Sequence, residues 1–119
     1  MKVKIGKYPN HWPWSNWLYD KFGYSLEQKV KVHIDKWDTW SMDHTLAHII
    51  LPMLKQLKAT NHGYPSELTE QEWDEIQDKM IWAFEQKIKD DMYDSSAEEH
   101  AKMEEGFRLF GEYYQNLWD

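Results

Sequence analysis

WDTWSMDHTLAHIILPMLKQLKAT, residues 37–60, is the longest apolar-rich periodic stretch of the chain. Met42, Leu46, Ile49, Ile50, Met53, Leu54 and Leu57 recur at three- and four-residue steps, which at 3.6 residues per turn makes one broad helical stripe. That stripe predicts a core face. Ala47 and Leu51 fall outside it, on a side shared with His44 and His48, so the first half of the helix is expected to be covered on more than one face. A helix wrapped in this way is central to the fold. Pro52 lies within it, has no N–H for the carbonyl of His48 and crowds that carbonyl with its ring, so a bend is expected near residues 48–52.

Ahead of this helix the patterning changes period. Val3 and Ile5 alternate with Lys2 and Lys4, and Val30, Val32 and Ile34 alternate with Lys29, Lys31 and His33. Both are short strand signals with a charged face. Neither strand is stable alone, so residues 2–5 and 29–34 are expected to pair into a small sheet covering the helices. Between them, residues 13–22 predict a short helix carrying Trp14, Trp17, Leu18 and Phe22 inward, with Gly23 as its cap. Beyond the central helix, Thr69 and Glu72 form a Thr-x-x-Glu capping box with Leu68 and Trp73 as its staple. Trp73, Ile76, Met80, Phe84 and Ile88 then form the stripe of a second long helix. Ser95 or Ser96 starts a third, patterned by Met103, Phe107, Phe110, Tyr114 and Leu117. Gly106 and Gly111 weaken its propensity but permit close approach to a neighbour. The expected architecture is α+β: a single domain over residues 1–119, helix-dominated, with a two-stranded sheet and long helices over 39–60, 70–92 and 96–117.

Composition narrows the function classes. At 119 residues, with 41% hydrophobic and 29% charged, the chain is globular in type. It has 8 Trp, 7 Tyr and 4 Phe, rings that serve a small core and a binding surface equally well. Fourteen Lys or Arg against 21 Asp or Glu give a net charge of -7, which opposes attachment to phosphate backbones or anionic membranes. There is no cysteine, so thiol chemistry and thiolate metal sites are excluded. The first residues lack the apolar core of a signal peptide, and no apolar run reaches the roughly 20 residues of a membrane span.

Three segments, IDKWDTWSMDHTLAHIILPMLKQLKATNHGYP, MIWAFEQK and EGFRLFGEYYQNLWD, resemble the blocks of a family of small uncharacterised proteins encoded by tailed bacteriophages. The resemblance spans about residues 30–119, apart from the divergent 64–79 and 89–104 regions. It implies a phage origin and the cytoplasm of the infected bacterial host as the place of action. It implies no reaction.

The most site-like group is Asp35, Asp38, Asp43, His44 and His48, with Glu85 as a ligand from another helix. Imidazoles one helical turn apart beside carboxylates can ligate a divalent metal or exchange protons. Yet HTLAH lacks the internal Glu of a zinc-protease helix. The structural alternative is that Asp38 or Ser41 caps the helix, Asp43 favours its positive end and the histidines bond neighbouring groups. The serines lie in cap or turn contexts without a nucleophile elbow, and no glycine-rich phosphate loop is present. Trp12, Trp14, Trp17 and Trp37 with Lys29, Lys31 and Lys36 could stack bases and meet phosphates, but the total charge opposes it. The favoured expectation is a non-enzymatic protein acting through contacts with a host or phage protein, or through self-association, using Trp12, Trp14, Trp17 and Trp82 as anchors. A metal-dependent hydrolase or metal-binding protein is the alternative.

Overall fold

In a computed structural model the described residues are 1–6, 28–60, 63–89 and 96–118. The helix expected over 13–22, and with it Trp12, Trp14 and Trp17, lies outside them. The fold class is α+β, three helices and a two-stranded antiparallel sheet, and the chain divides into two units, residues 1–40 and 41–119.

In the first unit β1 (Lys2–Ile5) pairs antiparallel with β2 (Val30–His33), in the register Lys2↔His33, Val3↔Val32, Lys4↔Lys31 and Ile5↔Val30. Directly opposed residues point to the same face. Val3, Ile5, Val30 and Val32 therefore share one face, and Lys2, Lys4, Lys31 and His33 share the other. The Gly6 N–H donates to the Lys29 carbonyl at 2.8 Å and extends the ladder by one step. A 3-10 turn, Lys36–Thr39, follows β2. It is tied back to the ribbon by polar contacts: the Met1 amine lies 2.8 Å from Asp35 and 3.0 Å from Asp38, and the His33 Nε2 lies 3.1 Å from Asp35.

The second unit consists of α1 (Met42–Thr60), α2 (Glu70–Lys89) and α3 (Ala97–Glu112), closed by a 3-10 turn at Tyr114–Asn116. The start signals work as the local chemistry predicts. Glu72 N–H donates to Thr69 Oγ1 at 3.1 Å while Thr69 N–H donates to Glu72 at 3.3 Å, a reciprocal box that satisfies two orphan donors. Ser96 caps α3 by accepting from the Glu99 N–H at 3.2 Å. Asp38, by contrast, does not cap α1. Its carboxylate accepts from the Asp35 N–H at 2.8 Å.

The arrangement of the helices corrects the expected centre. It is α2, not α1, that packs against both of the others. Trp73, Gln77, Met80, Ala83 and Phe84 are buried along it. Phe84 meets Phe107 and Phe110 of α3 edge to face, each at 5.1 Å between centroids, and Trp73 meets Tyr113 in the same way at 5.6 Å. Such pairs contribute on the order of 0.5–1.5 kcal/mol beyond the area they bury. Small residues set the spacing on the α3 side, where Gly106 lies directly over Ala83 and the Lys79 carbonyl.

The core face of α1 also differs from the expected stripe. Its buried residues are Ala47 and Leu54, with Ile50 and Leu51 packed against the core cluster. Met42, Leu46 and Met53 remain 54%, 36% and 66% exposed. Apolar side chains cover so much of the α1 circumference that a single neighbouring helix cannot cover them all. The seam that α2 meets is the one containing the small Ala47, which allows close approach. Pro52 sits on the exposed side of α1, one turn from exposed His48, so the carbonyl that it leaves without a donor is within reach of water.

Candidate functional site

The His and Asp cluster is dispersed into local pairs. Asp35 and Asp38 belong to the first unit, where they hold the Met1 amine. The Asp38 carboxyl is held below the usual carboxylate range, first by the Asp35 N–H and then by that amine. In the second unit Asp43 lies 2.5 Å from Lys87, and Glu85 lies 3.3 Å from Lys55. The Lys87 ammonium, followed by the His44 N–H, lowers the Asp43 pKa. Each carboxylate expected to neutralise an ion therefore already has a cation.

The two histidines do come together. Their rings meet edge to face at 4.9 Å. His44 is half-buried, and its Nε2 lies 3.3 Å from the Ile88 carbonyl, so when that bond is made Nε2 carries the proton and donates. Ile88 is in the last turn of α2, where carbonyls have no donor within the helix. His44 thus supplies a donor to a helix C-terminus, and the adjacent Asp43 binds Lys87 in the same turn. These contacts fasten the start of α1 to the end of α2. Among the described residues no three His, Asp or Glu side chains converge in an arrangement that could hold a metal ion.

Trp82 is half-buried, and the Lys102 ammonium lies 4.2 Å from its ring centroid. A cation over an indole face contributes about 0.5–1 kcal/mol at a partly exposed site. For Trp82 to act as an anchor, a partner would have to displace Lys102.

The surface that residue spacing did not single out lies between α1 and α3. Leu46 and Ile50 of α1, Phe84 of α2 and Phe107 of α3 line an open cleft of about 310 Å³, with Asp43 and Lys87 also in its wall. Phe84 and Phe107 carried the signal of core positions, and they do pack in the core. They also form the cleft floor, because helices α1 and α3 each dock on α2 and leave a gap above it. Leu46 continues from this cleft onto the exposed arc of Met42 and Met53. The one sequence signal for this surface was the excess width of the apolar arc on α1. Among the described residues no helix is long and apolar enough to cross a membrane. No protein-family model, curated protein or solved structure matches the chain.

Proposed function

We propose that this is a non-enzymatic accessory protein of a tailed bacteriophage that works through contact with a host or phage protein. The observation that carries the reading is the outer face of α1, where Met42, Leu46 and Met53 stay exposed in a row that runs into the Phe84 and Phe107 cleft. Contiguous exposed apolar surface marks interaction sites more often than isolated exposed side chains do. Unbranched Met and Leu side chains repack easily around a partner. An amphipathic partner helix laid along α1 would cover this row with anchors at three- and four-residue spacing. The metal-dependent alternative rests on the contact between His44 and His48 alone, since the neighbouring carboxylates are each paired with a cation.

The test is affinity recovery from host lysate with the full chain, repeated with purified components and with Met53→Glu and Leu46→Glu variants. A retained protein that binds the wild type and is lost with both variants supports the reading. Binding that is indifferent to both substitutions removes α1 as the surface. Mass measurement in solution belongs with the assay, because a second copy could cover the same row.

A further inference from the structure

The net charge of -7 is an average over two unlike parts. Residues 1–40 hold seven lysines against four acidic residues, whereas residues 41–119 hold seven Lys or Arg against seventeen. The total therefore says little about what the first unit attracts. Within that unit the strand register concentrates the charge further. Lys2, Lys4, Lys31 and His33 share one face of the β1–β2 ribbon, and Lys29 continues the same alternation. All five are exposed. Among the described residues no ion pair joins Lys2, Lys4, Lys29 or Lys31 to a carboxylate.

Lys4 stands directly opposite Lys31. Like charges opposed across an antiparallel pair are destabilising, in a ribbon of four residues per strand that has little stability to spare. Among the described residues no carboxylate pairs with either lysine to offset this repulsion, whereas a polyanion laid across the face would. Beside the ribbon, the turn tied to it through Asp35 and Asp38 presents Trp37 and Trp40, which are 58% and 79% exposed. Phosphates would meet the lysines and bases would meet the indoles, the combination by which sequence-tolerant single-strand binding works. An acidic protein segment would satisfy the lysines but would leave the indole faces without a use. We infer that the lysine face of the β1–β2 ribbon, with Trp37 and Trp40 at its end, binds single-stranded nucleic acid. This is a second surface, independent of the α1 row, and either can fail alone.

The test is a fluorescence-anisotropy titration of a labelled oligothymidylate of about 12 nucleotides with the full chain, across a salt series. Four phosphate-contacting lysines predict that log K falls with log salt with a slope near -3, from about 0.7 per contact on a single strand. The Lys4→Gln/Lys31→Gln double variant should bring the slope to about half that value and weaken binding at low salt about tenfold or more. Because it removes an opposed like-charge pair, this variant should melt no lower than the wild type, so lost binding cannot be ascribed to unfolding. Trp37→Ala should weaken binding roughly fivefold or more with the slope unchanged. The assignment is overturned by absent binding at low salt, by an unchanged slope in the double variant, or by equal affinity for polyglutamate of matched charge. It is also overturned if light scattering shows salt-reversible self-association without oligonucleotide binding, which would mean that the basic unit meets the acidic one of a second copy.

Discussion

Gly106 of α3 approaches Ala83 of α2 so closely that a Cβ placed on the glycine would lie 2.4 Å from the Ala83 Cβ and 2.6 Å from the Lys79 carbonyl oxygen. Neither atom can rotate away, since the Ala83 Cβ is fixed on its Cα and the Lys79 oxygen is backbone. The α2–α3 interface therefore depends on the missing side chain at position 106, and the aromatic contacts around Phe84 follow from the spacing that it sets.

Two alanine substitutions in the same helix should accordingly have opposite effects. Gly106→Ala must push α3 off α2 and should lower stability by about 1–3 kcal/mol, the usual range for overpacking. Gly111→Ala meets nothing within 4 Å and should raise stability by about 0.5–1 kcal/mol through helix propensity. Urea unfolding of both variants checks this. Equal effects would mean that helix propensity, and not packing, governs both sites.

Gln77 is 1% exposed, and among the described residues neither its Oε1 nor its Nε2 has a hydrogen-bond partner. A buried amide without partners costs on the order of 1–3 kcal/mol. Gln77→Met keeps the length of the side chain and removes the polar atoms, so it should stabilise the protein by about that amount. An increase in the urea midpoint with an unchanged m-value would show it. A decrease would reveal that the amide is satisfied in solution.

His44 is assigned to fastening helix ends, which separates it from a metal ligand by experiment. His44→Ala removes the donor to the Ile88 carbonyl and should cost about 0.5–1.5 kcal/mol. His48→Ala, at an exposed position, should cost less than half as much. Calorimetric titration with zinc should give no saturable binding near neutral pH in the wild type. Stoichiometric binding lost in both variants would restore the metal reading.

Asp43 provides a pH dependence of known sign. Its carboxyl titrates below the ordinary value of 3.8 because Lys87 stabilises the charged form. A depressed folded-state pKa contributes stability that is present above the unfolded value and lost as pH falls through the folded one. The advantage of the wild type over Asp43→Asn should hold at neutral pH and disappear progressively below about pH 4. Asp38 and Glu105 are shifted in the same direction, so the difference between the two proteins, not the wild-type profile alone, is the quantity to measure. A constant difference down to pH 2 would show that the Lys87 pair does not contribute.

Much of the fold was legible because its signals are local. The Thr69–Glu72 box and the Ser96 cap need only residues three positions apart. The period-two alternation at Lys2–Ile5 and Val30–His33 fixes which side chains share a face wherever the ribbon lies. The candidate site was less legible. The spacing of His44 and His48 correctly put two rings in contact, but Lys87, Lys55 and the Ile88 carbonyl, which occupy the neighbouring groups, are 30 to 44 positions away from Asp43, Glu85 or His44 in either direction along the chain.

Residue order by itself determined the class of the three long helices and the two strands, the starts of those helices to within a turn and which side chains share a face; α3 stops at Glu112, five residues short of the expected 117, where a 3-10 turn takes over. Only the tertiary structure decided which face is covered. On α1 two adjoining apolar arcs were available, and α2 took the one holding Ala47 because a small side chain lets two helices approach. Met42, Leu46 and Met53 were left outside. Periodicity records which residues point the same way, whereas burial depends on a neighbour contributed by distant sequence, and no spacing within residues 42–60 specifies that neighbour.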